Sequence, residues 1–357
     1  MTSPLESLTF RHGPQSANRL MLAPLTNLQS HDDGSCSTDE LRWLTMRAQG
    51  GFGIVSTCAA HVDPGGKGFP GQLGCFDDRL LPGLTELAAG LSGPGAVGLV
   101  QLHHAGRRSP TELIDGQPVA PSDDPETGAR ALTTAEVEGV VEAFAAGAVR
   151  AQQAGFAGVE LHAAHDYLIC EFLSAELNTR TDAYGGSPEN RARLLFEIIA
   201  EVRRRCGEDL LLAVRLSPEG FGQRTGDVIE VFDHLVDCGE VDLIDLSLWD
   251  SFKAPLEDGL GDSLLGLFAE RPRGEVRLAA AGHLRDGATV AAVLEAGADI
   301  AALGRFGITN HDAPRLIEAD PTAAMREYPV PRDVLDAEGV GPAFIEYLTS
   351  WPGFVGD

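Results

Sequence analysis

The sequence predicts an α/β protein built as a single (β/α)8 barrel (the TIM barrel), with extended loops and a C-terminal tail. Three observations carry this. Short continuous apolar runs alternate with amphipathic helical stretches along most of the chain, as in parallel strands buried on both faces. There are eight such βα units, which favours a closed barrel over an open doubly wound sheet. No G-x-G-x-x-G follows an early strand, which disfavours a Rossmann nucleotide fold.

The strands are expected at 19–23, 53–57, 97–102, 158–162, 211–216, 243–247, 276–280 and 300–303. Thr133-Thr134-Ala135-Glu136 has the form of a capping box opening a helix toward Ala154. Ser187-Pro188-Glu189 starts another helix, with an N-cap, a proline at the first helical position and an acid near the positive helix end. Asp227 and Asp286 are expected to cap later helices. Gly155, Gly239 and Gly297 are expected to supply the left-handed residue that follows a helix. Two segments, 107–132 and 248–275, exceed ordinary loop lengths and suit lids or binding loops. The whole chain, 1–357, is expected to form one domain, with the barrel over about 18–320 and a tail over 329–357. The tail ends in the apolar Trp351-Pro352-Gly353-Phe354, which is expected to pack under the barrel or against a second subunit, making a homo-oligomer plausible.

The chain of 357 residues carries 53 Asp+Glu against 27 Lys+Arg, a net charge of −26. That surface repels phosphate backbones and anionic lipid, so nucleic acid and membrane are not expected partners. No basic region followed by an apolar run opens the chain, and no apolar stretch is long enough to span a bilayer, so a cytoplasmic protein is expected. The six cysteines are scattered, without a C-x-x-C pair, so no zinc ribbon or iron–sulfur cluster is expected and the thiols read as reduced. The two lysines, Lys67 and Lys253, fall in loops, which argues against a Schiff-base aldolase.

In such barrels the chemistry lies at the C-terminal strand ends. Strand four ends in His162-Ala163-Ala164-His165-Asp166-Tyr167. Two imidazole N–H groups there can hold an oxygen on which charge develops, and a tyrosine hydroxyl can deliver a proton to carbon. The alternatives at this point are a pair of structural histidines or a zinc pair in need of a third ligand. Gln101 ends strand three and Arg215 ends strand five. A donor–acceptor amide and a fixed cation suit a flavin edge where negative charge gathers, though Arg215 equally suits a structural salt bridge. Gly282, Gly304 and Arg305 end strands seven and eight, where barrels bind phosphate; ordinary turn glycines are the alternative.

With His162-Ala-Ala-His165-Asp-Tyr167 followed by Asn178-Thr-Arg180-Thr-Asp182-Ala-Tyr184-Gly-Gly-Ser187 and Asn190-Arg191, the chain closely resembles the Old Yellow Enzyme family of NADH:flavin oxidoreductases. The resemblance runs from Asn18-Arg19 through Gln101-Leu102-His103-His104 to Leu303-Gly304-Arg305, roughly residues 5–320. It implies an FMN-dependent ene-reductase. FMN would be bound non-covalently, with NADH or NADPH as the hydride donor. The substrate would be a small unsaturated molecule, an α,β-unsaturated carbonyl or nitro compound. The implied catalytic residues are His162, His165 and Tyr167. The implied FMN contacts are Ala23, Pro24, Leu25, Thr26, Ala59, Gln101, Arg215, Gly282, Gly304 and Arg305, and no metal is implied. Three positions depart from the family pattern: Asp166 where glycine is frequent, Leu28 where one branch has an aromatic, and His103 where another branch has a bulky aromatic. A carboxylate at Asp166 is placed to raise the histidines' pKa or to alter binding. Related reductases that need an iron–sulfur cluster and further dinucleotide-binding domains lack support here, and so does a non-redox barrel. A flavin-binding sensor or carrier without turnover is disfavoured by the intact His162, His165 and Tyr167 set.

Overall fold

The computed structural model describes residues 2–356. Eight parallel strands close into a ring: β1 (Leu20–Leu22), β2 (Ile54–His61), β3 (Val97–His103), β4 (Gly158–Ala163), β5 (Leu211–Leu216), β6 (Leu243–Trp249), β7 (Arg277–Gly282) and β8 (Ile300–Leu303). Each pairs with the next in sequence, and β8 pairs with β1. The connecting helices are α1 (Thr38–Gln49), α2 (Leu81–Ser92), α3 (Thr134–Ala154), α4 (Leu168–Leu173), α5 (Pro188–Cys206), α6 (Thr225–Asp237), α7 (Leu264–Ala269) and α8 (Gly287–Glu295). After β8 come α9 (Arg305–Thr309), α10 (Ala313–Ala319), α11 (Arg332–Ala337) and α12 (Pro342–Thr349). Among the described residues no helix is long and apolar enough to cross a membrane.

Strand alternation divides the core in two. Outward residues such as Leu212, Val214 and Leu216 of β5 join the large shell between barrel and helices. Inward residues form a separate apolar lumen of Met21, Ile54, Leu99, Ala213, Leu243, Ala279 and Ala302. Leu8 belongs to that lumen cluster, carried by an N-terminal segment that pairs with itself at Ser16. Two residues further along the strands the lumen becomes polar, and that layer floors the site described below.

The predicted capping box holds, with Thr133 accepting from the Glu136 N–H and the Glu136 carboxylate accepting from the Thr133 N–H. Ser187 and Asp286 cap α5 and α8. Gly155, Gly239 and Gly297 all take positive φ after their helices. Asp227 is a correction. It sits in the first turn of α6 rather than before it, and its carboxylate pairs with Arg191. Strand β2 is also longer than expected, because an irregularity between Ser56 and Ala59 lets pairing with β3 resume as far as His61. The long segment after β3 carries a small parallel pair, Val119–Ala120 with Arg130–Ala131.

The tail is the larger correction. It does not lie under the barrel; it packs at the C-terminal strand-end face. Phe344, Ile345 and Leu348 of α12 are buried, and Phe344 meets Trp43 of α1 edge-on at 5.1 Å. The Gly341 N–H donates to Gln29 Oε1 at 2.7 Å, tying the tail to the loop after β1. Of the apolar run that ends the tail, Phe354 is buried, Trp351 half-buried, and Pro352 and Gly353 exposed.

Candidate active site

A cleft with about 580 Å³ of empty volume opens at the C-terminal ends of the strands. Its floor is the polar layer of the lumen. Gln101 on β3 stands beside Glu160 on β4, and its Nε2 donates to Glu160 Oε1 at 2.7 Å. Arg215 on β5 stands beside Asp245 on β6, with Nε 3.3 Å from Asp245 Oδ2. Arg215 also donates weakly to the Pro24 carbonyl at 3.4 Å and faces the cleft. Burial pushes both carboxyls up, while Arg215 holds them down. A buried guanidinium and a buried amide thus meet any ligand that enters, a donor set that fits the polar edge of an isoalloxazine ring.

His162 is the penultimate residue of β4, two residues above Glu160 on the inward face, and is buried. The chain then turns sharply, with His165 and Asp166 both in the left-handed region at φ 61° and 60°. A non-glycine residue there costs about a kcal/mol or more, a cost often found at functional loops. Ser217 supports the turn by accepting from the His165 N–H at 3.0 Å. The two rings meet with His162 Nε2 and His165 Nδ1 3.4 Å apart. Burial, followed by His165, His103, Arg215 and Arg108, holds His162 well below the ordinary imidazole range. Burial, then Arg215 and Arg108, lowers His165 to about 3. Both are neutral at physiological pH, each with one N–H to offer.

Tyr167 follows, with its ring 4.2 Å from that of His103 and 4.9 Å from that of His162, centroid to centroid. The Arg108 guanidinium lies over the same ring at 4.9 Å and donates to the His165 carbonyl at 2.7 Å. Burial raises the Tyr167 pKa, so its hydroxyl keeps its proton. The expectation for Asp166 needs correcting. Its Oδ2 is held by Arg107 at 2.8 Å, and neither histidine is raised.

Pro24, Leu25 and Thr26 line the cleft from the end of β1, and Ala59 lines it from β2. The Ala59 carbonyl already accepts from Gln72 Nε2 at 3.0 Å. Ala23 lies one step below, in the apolar lumen. The three residues expected at a phosphate do not line this cleft. A side chain at Gly282 would strike the backbone of 249–251 at 2.9 Å, so that glycine makes room for the loop after β6. A Cβ at Gly304 would meet only Leu25, at an ordinary contact distance of 3.8 Å, and exposed Arg305 lies over the Trp351 ring at 5.5 Å. Leu25 and Trp351 both line the cleft, so Gly304 and Arg305 border it. As for zinc, among the described residues the one group spaced for a metal is His311, Asp312 and Glu338, away from the histidine pair.

Several site residues were not singled out from the sequence. Glu160 and Asp245 are lone acids inside apolar strands, a signal that was present. Ser247, whose Oγ lies 2.7 Å from His165 Nε2, looks like any strand-end serine. Tyr347 and Trp351 complete the cleft wall from the tail, and no local pattern reveals that.

Residues 10–321 match the profile of the NADH:flavin oxidoreductase / NADH oxidase family. A probable NADH-dependent flavin oxidoreductase, YqiG, of Bacillus subtilis is 39% identical over 312 residues, 84% of this chain and 83% of that one. An NADPH dehydrogenase of Halalkalibacterium halodurans is 38% identical over 246 residues, 67% of this chain and 71% of that one. Among solved structures, the old yellow enzyme homologue from Zymomonas mobilis superposes with a TM-score of 0.80 at 26% identity, covering 94% of this chain and 96% of that one.

Proposed function

The chain belongs to the NADH:flavin oxidoreductase / NADH oxidase family, that of the Old Yellow Enzymes, and from that premise we propose that it reduces the activated C=C bond of α,β-unsaturated carbonyl or nitro compounds. It is a flavin oxidoreductase that uses FMN and NADH or NADPH. When bound, FMN would supply the hydride chemistry between the nicotinamide and the substrate's β-carbon.

The protein's own residues do the rest. His162 Nε2 and His165 Nδ1 hold the carbonyl or nitro oxygen and take up the charge that develops there. Neutral donors fixed in a buried site need no reorganisation as charge appears, which makes them effective. Tyr167 gives its proton to the α-carbon, and its raised pKa keeps that proton available. Gln101 and Arg215 would hold the polar edge of the isoalloxazine, and Thr26 would lie beside the ring. Ala23, Pro24, Leu25 and Ala59 supply contacts around the ring. Gly304 and Arg305 take the phosphate at the cleft border, with Gly282 shaping the neighbouring loop. The tail's place in the cleft wall supports reading the whole chain as one FMN-binding domain.

The observation that carries the reading is the meeting of two neutral imidazole nitrogens, 3.4 Å apart, in the same cleft as Tyr167 and Arg215. The test is the double variant His162→Ala/His165→Ala. Losing one such donor typically costs about 10²–10³ in rate, so enone turnover should fall at least that far and phenol charge-transfer binding should vanish. Near-normal enone turnover would mean another group anchors the substrate.

A further inference from the structure

We propose that the Ser247 hydroxyl, able to accept from or donate to Nε2, lets His165 change tautomer and turn an Nδ1–H toward the substrate oxygen, and so acts as a positioning residue for the oxygen-binding pair. The inference rests on the roles given above to His162 and His165.

A neutral imidazole has one donor and one acceptor nitrogen. For His162 the choice is made locally, because Nδ1 accepts from the Ala164 N–H at 3.3 Å. Its hydrogen is therefore on Nε2, facing His165 Nδ1 at 3.4 Å. The backbone of His165 is fixed by Ser217. Its ring is fixed by Ser247 on β6, buried, with Oγ 2.7 Å from Nε2. With the ring held, the remaining freedom is which nitrogen carries the hydrogen.

Two arrangements satisfy Ser247. In one, His165 Nε2–H donates to the hydroxyl, and Nδ1 accepts from His162 Nε2–H. The pair then satisfies itself and has one donor to share with a ligand. In the other, the hydroxyl donates to Nε2, and Nδ1 carries the hydrogen. Two N–H groups then face each other, an arrangement that favours an oxygen between them. Passing from the first to the second removes a proton from Nε2, adds one at Nδ1 and leaves the serine its own, which only rotates. Net charge does not change. A serine can donate or accept, so it permits the self-satisfied pair in the empty cleft and the doubly donating pair in the complex.

Without the hydroxyl, the doubly donating form would bury Nε2 as an acceptor without a partner. That cost corresponds to a loss on the order of ten-fold in affinity for an oxygen ligand. The test uses FMN-loaded protein with ¹⁵N-histidine, p-hydroxybenzaldehyde as the phenol probe, and the variants Ser247→Ala and Ser247→Thr. Phenol should move the His165 hydrogen to Nδ1 in the wild type and in Ser247→Thr. Ser247→Ala should bind phenol about ten-fold more weakly with unchanged FMN content, and Thr should restore the affinity. A His165 that keeps Nε2–H in the phenol complex overturns the inference, as does wild-type affinity in Ser247→Ala. If the wild type itself binds no phenol, the oxygen-binding reading of the histidine pair falls, and this inference with it.

Discussion

Replacing Arg215 by methionine removes the guanidinium from the polar layer of the lumen and leaves Asp245 without its counter-charge. The pair lies at 3.3 Å with both side chains buried. At an effective dielectric near 20, that separation is worth roughly 5 kcal/mol of attraction. Removing one partner of a buried pair costs about 3–5 kcal/mol, because the other charge is stranded. Asp245 is already raised by burial and is restrained by Arg215, so in the variant it should take up a proton. The folded variant then holds a proton that the unfolded chain, with an ordinary carboxyl, has released. Stability lost at high pH therefore returns as pH falls through the raised folded value, by up to about 1.4 kcal/mol per pH unit. Urea unfolding of FMN-free protein should show a larger loss at pH 8 than at pH 6. Adding Asp245→Asn to Arg215→Met should recover most of it. An equal deficit at both pH values, or no recovery in the double variant, would refute the argument that Asp245 is the stranded group.

Tyr167→Phe should leave flavin reduction by NAD(P)H near wild type, since the ring contacts with His103, His162 and Arg108 remain. In stopped flow, reoxidation by cyclohexenone should slow by about 10²–10⁴-fold, and reoxidation by a nitroalkene should slow less, because a stabilised nitronate can leave before it is protonated; equal loss in both half-reactions would mean Tyr167 only shapes the pocket. Trp351→Ala should weaken FMN binding by roughly three- to ten-fold, the worth of one aromatic contact, measured by equilibrium dialysis. An unchanged FMN affinity would reduce the tail to a cover.

The barrel was legible in the sequence because strands buried on both faces lose their alternation and read as unbroken apolar runs. The cleft's main residues were legible because Gln101, His162, His165 and Arg215 sit where such runs end. What stayed hidden depends on distant partners. Asp227 has the composition of a cap, but Arg191, 36 residues earlier, claims its carboxylate. The tail's destination turns on Phe344 meeting Trp43 and Gly341 meeting Gln29, contacts that no local pattern encodes. The irregularity in β2 shows only in its pairing with β3. Glu160 and Asp245 passed as members of apolar strands because a single acid hardly disturbs a run, although a lone carboxyl there is what a buried cation requires.

Beneath Arg215 the lumen holds methyl groups and branched hydrocarbon: Ala213, Ala279, Leu99, Ile54. Such a column has no dipole to turn and, as an apolar space, no affinity for water. The field reaching the cleft from the guanidinium and its two carboxyls is therefore propped from below by material that cannot screen it or answer a change in charge above. The surroundings of a bound flavin can then be retuned from underneath, at a residue that no ligand ever touches. Converting one lumen alanine to serine would place an orientable dipole within that insulator while leaving every wall of the cleft as it was.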